Sequence, residues 1–232
     1  MVSASRNWPA TASELVAAQL RLAMADPPQW RAADVDALQV ASAWVCFARG
    51  VSGAGAAGDQ AWTAAVTMRG PRLIEHTVVR GNAAAPYAPG LLALRIGPLL
   101  EQAFRHLVQR PQVLLLDATG RDHPRRAGLA LHLGAVLDLP TVGVTHRPLV
   151  ASGAWPEDTT GAVAPLRLDG ETVGYWLRSR SGTRPIAVHA GWRTDPDTAL
   201  ATVTACQGRT RTPAPLRHTR RIARMARARH SP

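Results

Sequence analysis

Hydrophobic residues recur along the first half of the chain with helical and then strand-like spacing. Leu15, Ala18, Leu22 and Ala25 lie three or four positions apart, which predicts an amphipathic helix over residues 12–25. Apolar stretches then predict three strands, at about 38–47, 61–68 and 72–80. The glycine- and alanine-rich stretch 50–58 would join the first two strands as a hairpin loop.

Helices and buried strands alternate in the second half. The pattern predicts a helix at 91–108, a strand at 112–117, a helix at 126–138, strands at 141–144, 172–178 and 186–189, and a helix at 195–206. Three strands followed by this alternation indicate an α/β fold, a mixed sheet with helices on both faces. We expect one domain over residues 1–208, followed by an arginine-rich tail over 209–232. This tail is either a solvated, disordered segment or a contact for nucleic acid.

Composition narrows the class of protein. The chain has 232 residues and 46% hydrophobic residues, which is enough for a substantial core. No apolar run is long enough to span a bilayer and no signal-like stretch opens the chain, so we expect a cytoplasmic protein without a membrane partner. Cys46 and Cys206 form neither a CxxC pair nor a zinc-like spacing, which favours two buried thiols.

The charge favours an anionic partner. The formal net charge is +11, and all 27 cationic side chains are arginine because the sequence contains no lysine. A balance this basic is typical of proteins that bind nucleic acid or a smaller phosphorylated or sulfated molecule. The absence of lysine also points to genomic composition bias, which weakens arguments from single arginines.

Four motifs stand in order in the middle of the chain. They are P-Y-A-P-G at 86–90 with L-R at 94–95, D-A-T-G at 117–120, H-P-R-R-A-G-L-A-L-H-L-G at 123–134, and P-T-V-G-V-T-H at 140–146. These motifs resemble the endonuclease V family, whose patterns are P-Y-x-P-G-x-L-x-F-R-E, D-G-x-G, H-P-R-x-x-G-x-A-x-H-x-G and P-T-I-G-V-A-K. Their order and spacing agree over about residues 12–205.

The resemblance implies an RNase H-like mixed sheet and an ancestral Mg²⁺-dependent cleavage of DNA or RNA near a deaminated purine such as inosine. It further implies that Tyr87, in P-Y-A-P, acts as a wedge beside the lesion while the odd base turns into a pocket.

The residues that the resemblance assigns to metal-assisted hydrolysis are mostly replaced. Trp44 stands where the family has a first-strand Asp, Ile96 where it has the Glu of F-R-E, and Trp192 where it has the His of a G-H pair. His146 replaces a lysine, and Asp117 alone stays in register. Asp34 or Asp36 would supply a first-strand carboxylate only in a different strand register. Because Mg²⁺ requires several hard oxygen ligands, we expect no metal in this site unless a nuclease centre of unusual composition survives.

Each candidate residue has a functional and a structural interpretation. Asp117 and His146 are candidates for acid/base catalysis, while His123 is either a third catalytic residue or a hydrogen-bonding residue that holds its loop. Trp44 and Trp192 either form an aromatic wall for a ligand or fill the core. The remaining candidates for substrate contact are Tyr87, Arg95, Arg125 and Ile96.

Three functions are compatible with this pattern. In the first, the pocket carries out metal-independent elimination, cyclisation or group transfer on a small anionic substrate. In the second, it binds inosine-like or otherwise modified nucleic acid without cutting it. In the third, an endonuclease V remains active through an unusual metal site. The sequence does not indicate the oligomeric state.

Overall fold

Thirteen helices and strands make up the computed structural model, which describes residues 8–35, 37–50 and 53–229. They are α1 (Ala12–Ala23), β1 (Gln39–Phe47), β2 (Gln60–Arg69), β3 (Arg72–Asn82), α2 (Leu92–Arg105), β4 (Val113–Leu116), α3 (Leu129–Leu137), β5 (Thr141–Thr145), β6 (Val163–Leu168), β7 (Glu171–Leu177), β8 (Ile186–Ala190), α4 (Pro196–Ala205) and α5 (Ala214–Ala228). None of these helices is both long enough and apolar enough to cross a bilayer.

The strands form one mixed eight-stranded sheet, as the element order predicted. Its order is β3-β2-β1-β4-β5-β8-β7-β6. The central strands β1, β4 and β5 are parallel, while the outer pairs are antiparallel. Carboxyl ends of the three parallel strands therefore meet at one edge of the sheet, which is where ligands commonly bind in open α/β folds.

Side-chain alternation along the central strands produces a core on each face. Leu114 and Leu116 of β4 pack in a cluster with residues of α1, α2 and α3, whereas Val113 and Leu115 pack on the opposite face with α4 and Leu216 of α5. Burial on both faces explains why β4 is a continuous apolar run rather than an alternating one.

Two elements differ from the sequence-based expectation. Residues 214–228, which we assigned to an arginine-rich tail, form α5 and pack on β1 and β2, so this segment belongs to the domain. Residues 163–168 form β6, which the pattern did not indicate because Pro165 interrupts it. Pro165 is tolerated there because β6 is an edge strand.

The third helix also starts later than predicted. Residues 120–128 form turns instead of a helix, with Arg126 in the left-handed region at φ 51°, and α3 begins only at Leu129. Gly128 packs so closely on Thr119 that a Cβ would lie 2.4 Å from its carbonyl oxygen. Both cysteines are unpaired, with Cys46 buried and Cys206 half-buried.

Candidate functional site

A cleft of about 820 Å³ opens at the carboxyl ends of β1 and β4. Ala43 of β1 pairs with Leu116 of β4, and one step further along the same parallel register places Trp44 beside Asp117. Both side chains line the cleft and both are half-buried. The structure thus brings together Asp117 and Trp44, the residue at the position where the family resemblance implies a first-strand carboxylate.

The opposite wall of the cleft comes from the start of α2 and the loop before it. Ile96 is half-buried against the core and lines the cleft together with Arg95. Tyr87 is 45% exposed at the mouth, and its backbone N–H donates to the Gly55 carbonyl. Of the nine predicted site residues, five line this cleft: Trp44, Tyr87, Arg95, Ile96 and Asp117.

Helix α5 adds arginines that sequence reasoning did not single out. Arg220 donates from Nη2 to Asp117 Oδ2 at 2.7 Å, and both side chains are mostly buried. One turn further along, the Arg224 guanidinium lies 5.3 Å from the centre of the Trp44 ring, within cation–π range. The sequence did not single out Arg220 because it lies 103 residues after Asp117 and is one of many arginines in the predicted tail.

The donor set of the cleft does not fit Mg²⁺. Mg²⁺ is held through oxygen ligands and usually through carboxylates, but Trp44 and Ile96 are apolar and the Asp117 carboxylate holds a guanidinium. Across the residues that the structure describes, no group of three or more His, Cys, Asp or Glu side chains could hold a metal ion. Asp34 precedes β1 at the opposite edge of the sheet, where it accepts a hydrogen bond from Ala37, and Asp36 lies outside the described residues.

Arg95 holds two loops in place. Its buried guanidinium donates to Asp59 Oδ2 at 2.6 Å and to the carbonyls of Ala56 and Ala85, and it lies 4.3 Å from the centre of the Phe47 ring. The bond from Arg95 also lowers the pKa of Asp59. With these partners the side chain fixes the loops at the mouth of the cleft.

A second, smaller space adjoins the cleft, and we call it the inner pocket. It measures about 190 Å³ and shares Tyr87 and Asp117 with the cleft. His123 lines it with both ring nitrogens engaged, since Nδ1 accepts from the Arg125 N–H and Nε2 lies 3.1 Å from the Gly90 carbonyl. This arrangement fixes the tautomer in which Nε2 donates. Burial lowers the pKa of His123, so the ring is neutral near pH 7.

Arg125, two residues after His123, also connects the loops around the inner pocket. Its Nε donates to Gln19 at 2.6 Å and its Nη2 donates to the Gly90 carbonyl at 2.9 Å. These contacts attach the 120–128 turn to α1 and to the loop that carries Tyr87. His123 and Arg125 therefore both hold the Gly90 carbonyl and fix the loops around the inner pocket.

The remaining two predicted residues lie outside both pockets. Trp192 sits beside Thr141 at the start of β5, to which its backbone is hydrogen-bonded, and hence at the far end of this strand from Asp117. His146 follows β5 at the edge that carries Asp117, but its side chain is exposed and lines neither pocket. Burial together with Arg211 and Arg220 lowers the pKa of His146, against the influence of Asp117.

The fold and the cleft define an α/β protein whose arginine-bordered cleft lies at the carboxyl edge of a mixed sheet. The family model described as Endonuclease V matches residues 39–221. A relative named Endonuclease V from Roseiflexus castenholzii is 41% identical over 162 residues, which cover 69% of this chain and 73% of the relative. The chain therefore belongs to the endonuclease V family.

Solved structures agree with this assignment. The endonuclease V from Streptomyces avermitilis superimposes with a TM-score of 0.83 at 30% identity and covers 97% of this chain and 96% of its own. The Ciona intestinalis endonuclease V, solved with a 24mer DNA that contains an inosine, has a TM-score of 0.78 at 20% identity, with 94% and 98% covered. The predicted RNase H-like fold is thereby confirmed.

Proposed function

We propose that this protein binds nucleic acid that carries a deaminated or otherwise modified purine, and that it does so without Mg²⁺ and without cutting. The ion pair between Asp117 and Arg220 carries the proposal. Its Arg220 guanidinium is the positive half of a neutral pair at the position where the family resemblance implies a metal ion, and its remaining N–H donors are what the pair offers to an anion. The protein would therefore recognise the nucleic-acid strand rather than cleave it.

An arginine in this position is suited to a backbone phosphate. A guanidinium has five N–H donors in a planar fork, and the bond to Asp117 uses one of them. Arg220 reaches the cleft through its bond to Asp117, whereas Arg224, on the next turn of α5, and Arg227, further along, line the cleft themselves. A strand that crosses the cleft would thus meet a row of cations along α5.

The neighbouring aromatic group and the inner pocket are suited to a base. Tyr87 lies at the boundary between the cleft and the inner pocket, in the position that the resemblance assigns to the wedge. A base turned out of its stack next to Tyr87 would enter the inner pocket, while its phosphates stay near α5. The relative from Ciona intestinalis was solved with inosine-containing DNA, which supports this class of ligand.

The cleft geometry gives less support to the two other functions. An acid/base pair of Asp117 and His146 would need the Asp117 carboxylate, which Arg220 already engages. A surviving metal-dependent nuclease would need further carboxylates, and Trp44 and Ile96 occupy the two positions expected for them. The small anionic substrate remains an alternative ligand for the same arginines.

Fluorescence anisotropy with a single-stranded oligonucleotide that contains one inosine tests the proposal, with EDTA present throughout. We expect binding in EDTA, and we expect Asp117→Asn to tighten it about threefold or more because it frees Arg220 and removes a negative charge. Arg220→Gln is expected to weaken binding about tenfold, since a phosphate contact is lost and Asp117 is left uncompensated. Arg72→Gln, at the opposite edge of the sheet, is the matched control.

Cleavage assays with Mg²⁺ and with Mn²⁺ complete the test. We expect no strand cutting by the folded protein. Cutting that disappears in Asp117→Ala would overturn the proposal in favour of an active endonuclease. Tight binding of small phosphate or sulfate esters, with no preference for the modified oligonucleotide, would favour the small-substrate function instead.

A further inference from the structure

Three polar side chains lie in a row that leads from the inner pocket into the interior of the fold. Thr145, at the end of β5, lines that pocket, and its Oγ1 lies 2.8 Å from His189 Nε2. His189 Nδ1 faces Asp122 Oδ2 at 3.6 Å, and neither His189 nor Asp122 is exposed to solvent. None of the three residues was a predicted site residue, because 23 and 44 positions separate Thr145 from Asp122 and from His189.

The surrounding backbone holds these three side chains in place. His189 on β8 pairs with Gly143 on one side and with Gly174 on the other, so no neighbouring side chain crowds its ring within the sheet. Asp122 accepts three backbone N–H bonds, from residues 149, 150 and 151, at 2.6 to 2.8 Å. The carboxylate is therefore stabilised without the histidine being charged.

The single proton of the Thr145 hydroxyl determines what this side chain offers to the inner pocket. Its hydroxyl has one proton and two close neighbours, the Arg147 carbonyl at 2.7 Å and His189 Nε2 at 2.8 Å. If the proton goes to Arg147, His189 donates from Nε2. If the proton goes to His189, then Nδ1 carries the ring proton toward Asp122. In both arrangements the only proton of Thr145 is used inside the protein, so Oγ1 has only lone pairs left for a ligand.

We infer that Thr145 is a specificity-determining hydrogen-bond acceptor of the inner pocket. It would select a planar heterocycle that presents an N–H on its six-membered ring, such as the lactam N–H of a deaminated purine. This inference rests on the proposed function and deepens it. His189 and Asp122 act as positioning residues, since they reach the ligand only through Thr145.

The charge state of His189 is consistent with this assignment. Burial lowers the pKa of His189 to about 4, although Asp122 acts in the opposite direction. The ring is therefore neutral at pH 7, and it donates from Nε2 to Thr145 Oγ1 when the Thr145 proton goes to the Arg147 carbonyl. A protonated ring would instead donate from both nitrogens.

Two nucleosides that share the purine ring and differ at N1 and C6 provide the test. Inosine carries an N1–H, whereas nebularine has the same purine ring with an unprotonated N1 and no 6-oxo group. Oligonucleotides with either base at the same position are compared by anisotropy. We expect the wild type to prefer inosine by about tenfold, because an acceptor facing an acceptor leaves both unsatisfied. In Thr145→Val, which keeps the shape, the preference should fall below about threefold.

Thr145→Ser is the matched control, because it keeps the hydroxyl and removes only a methyl group. It should retain most of the preference for inosine. An unchanged preference in Thr145→Val, or its equal loss in Thr145→Ser, would overturn the inference. Equal binding of both oligonucleotides by the wild type would also overturn it while leaving nucleic-acid binding intact.

Free inosine and free nebularine separate this inference from the proposed function. Their binding is followed by NMR of the protein amides and does not require the arginines of α5. If no oligonucleotide binds but free inosine binds in a Thr145-dependent manner, the proposed function fails and the inference stands. If neither free nucleoside nor oligonucleotide binds, both are overturned.

Discussion

At the scale of single residues, two buried histidines couple stability to pH. Burial lowers the pKa of His132 and of His189 to about 4, from an ordinary value of 6.5. In the unfolded chain these rings take up protons near pH 6.5, but in the folded protein they do so only near pH 4. The unfolded state thus binds more protons in this interval. The contribution of these two histidines to stability is therefore fully present above pH 6.5 and is lost as the pH falls from 6.5 to 4.

His132 allows this dependence to be measured without removing its packing. The ring stacks on Trp8 with centroids 4.8 Å apart, and phenylalanine can keep that contact. We expect the free energy of unfolding of the wild type to drop by several kcal/mol between pH 7 and pH 4, and His132→Phe to remove roughly 2 to 3 kcal/mol of that drop. Chemical denaturation at pH 7, 5.5 and 4 measures both. An identical drop in the variant would contradict the assignment.

Residue-level chemistry was predictable only where the sequence carried a motif. Trp44, Ile96 and Asp117 could be placed together because each stands in a recognisable segment, and the structure brings them to one cleft. Arg220 could not be chosen from an arginine-rich segment, because its partner is set by how α5 packs on the sheet. Trp192 was placed with them from its motif, but the antiparallel pairing of β8 with β5 carries it to the other end of the strand.

At the scale of elements, α5 is held by a narrow apolar stripe beneath its arginines. Leu216, Thr219 and Ala223 are fully buried and recur at helical spacing, whereas Arg217, Arg221 and Arg224 are exposed. Thr219 donates to backbone carbonyls of its own helix and lies within 3.4 Å of Ser42 on β1. The amino-acid composition did not indicate this stripe, because five arginines among fifteen residues predict a solvated segment rather than a packed helix.

Truncation of Leu216 tests whether α5 is an integral part of the domain. The side chain packs against the core cluster of β4, β5 and β8, so Leu216→Ala is expected to cost about 2 to 5 kcal/mol. Met225→Ala on the exposed side of the same helix is the control, and it should change stability by less than about 0.5 kcal/mol. Urea denaturation of both variants provides the comparison. Similar stabilities for the two would indicate that α5 docks only weakly.

At the scale of the whole molecule, part of the excess positive charge is concentrated on α5, beside the cleft. The chain carries 27 arginines against 16 acidic residues, and α5 has five of the arginines and no acidic residue. A second groove of about 450 Å³ runs along this helix between Arg217, Arg220, Arg221 and Arg224. A field concentrated in this way raises the association rate of a polyanion and sets the direction from which it approaches.

Salt dependence distinguishes this local field from the net charge alone. Each phosphate contact to a single strand contributes about −0.7 to the slope of log affinity against log salt concentration. Arg221→Gln is expected to make the slope shallower by about 0.7, because Arg221 is exposed on the groove. Arg72→Gln removes the same charge from the opposite edge of the sheet and should leave the slope unchanged. Equal effects of the two variants, measured by anisotropy from 50 to roughly 300 mM salt, would mean that binding follows net charge and that α5 is not the path of the strand.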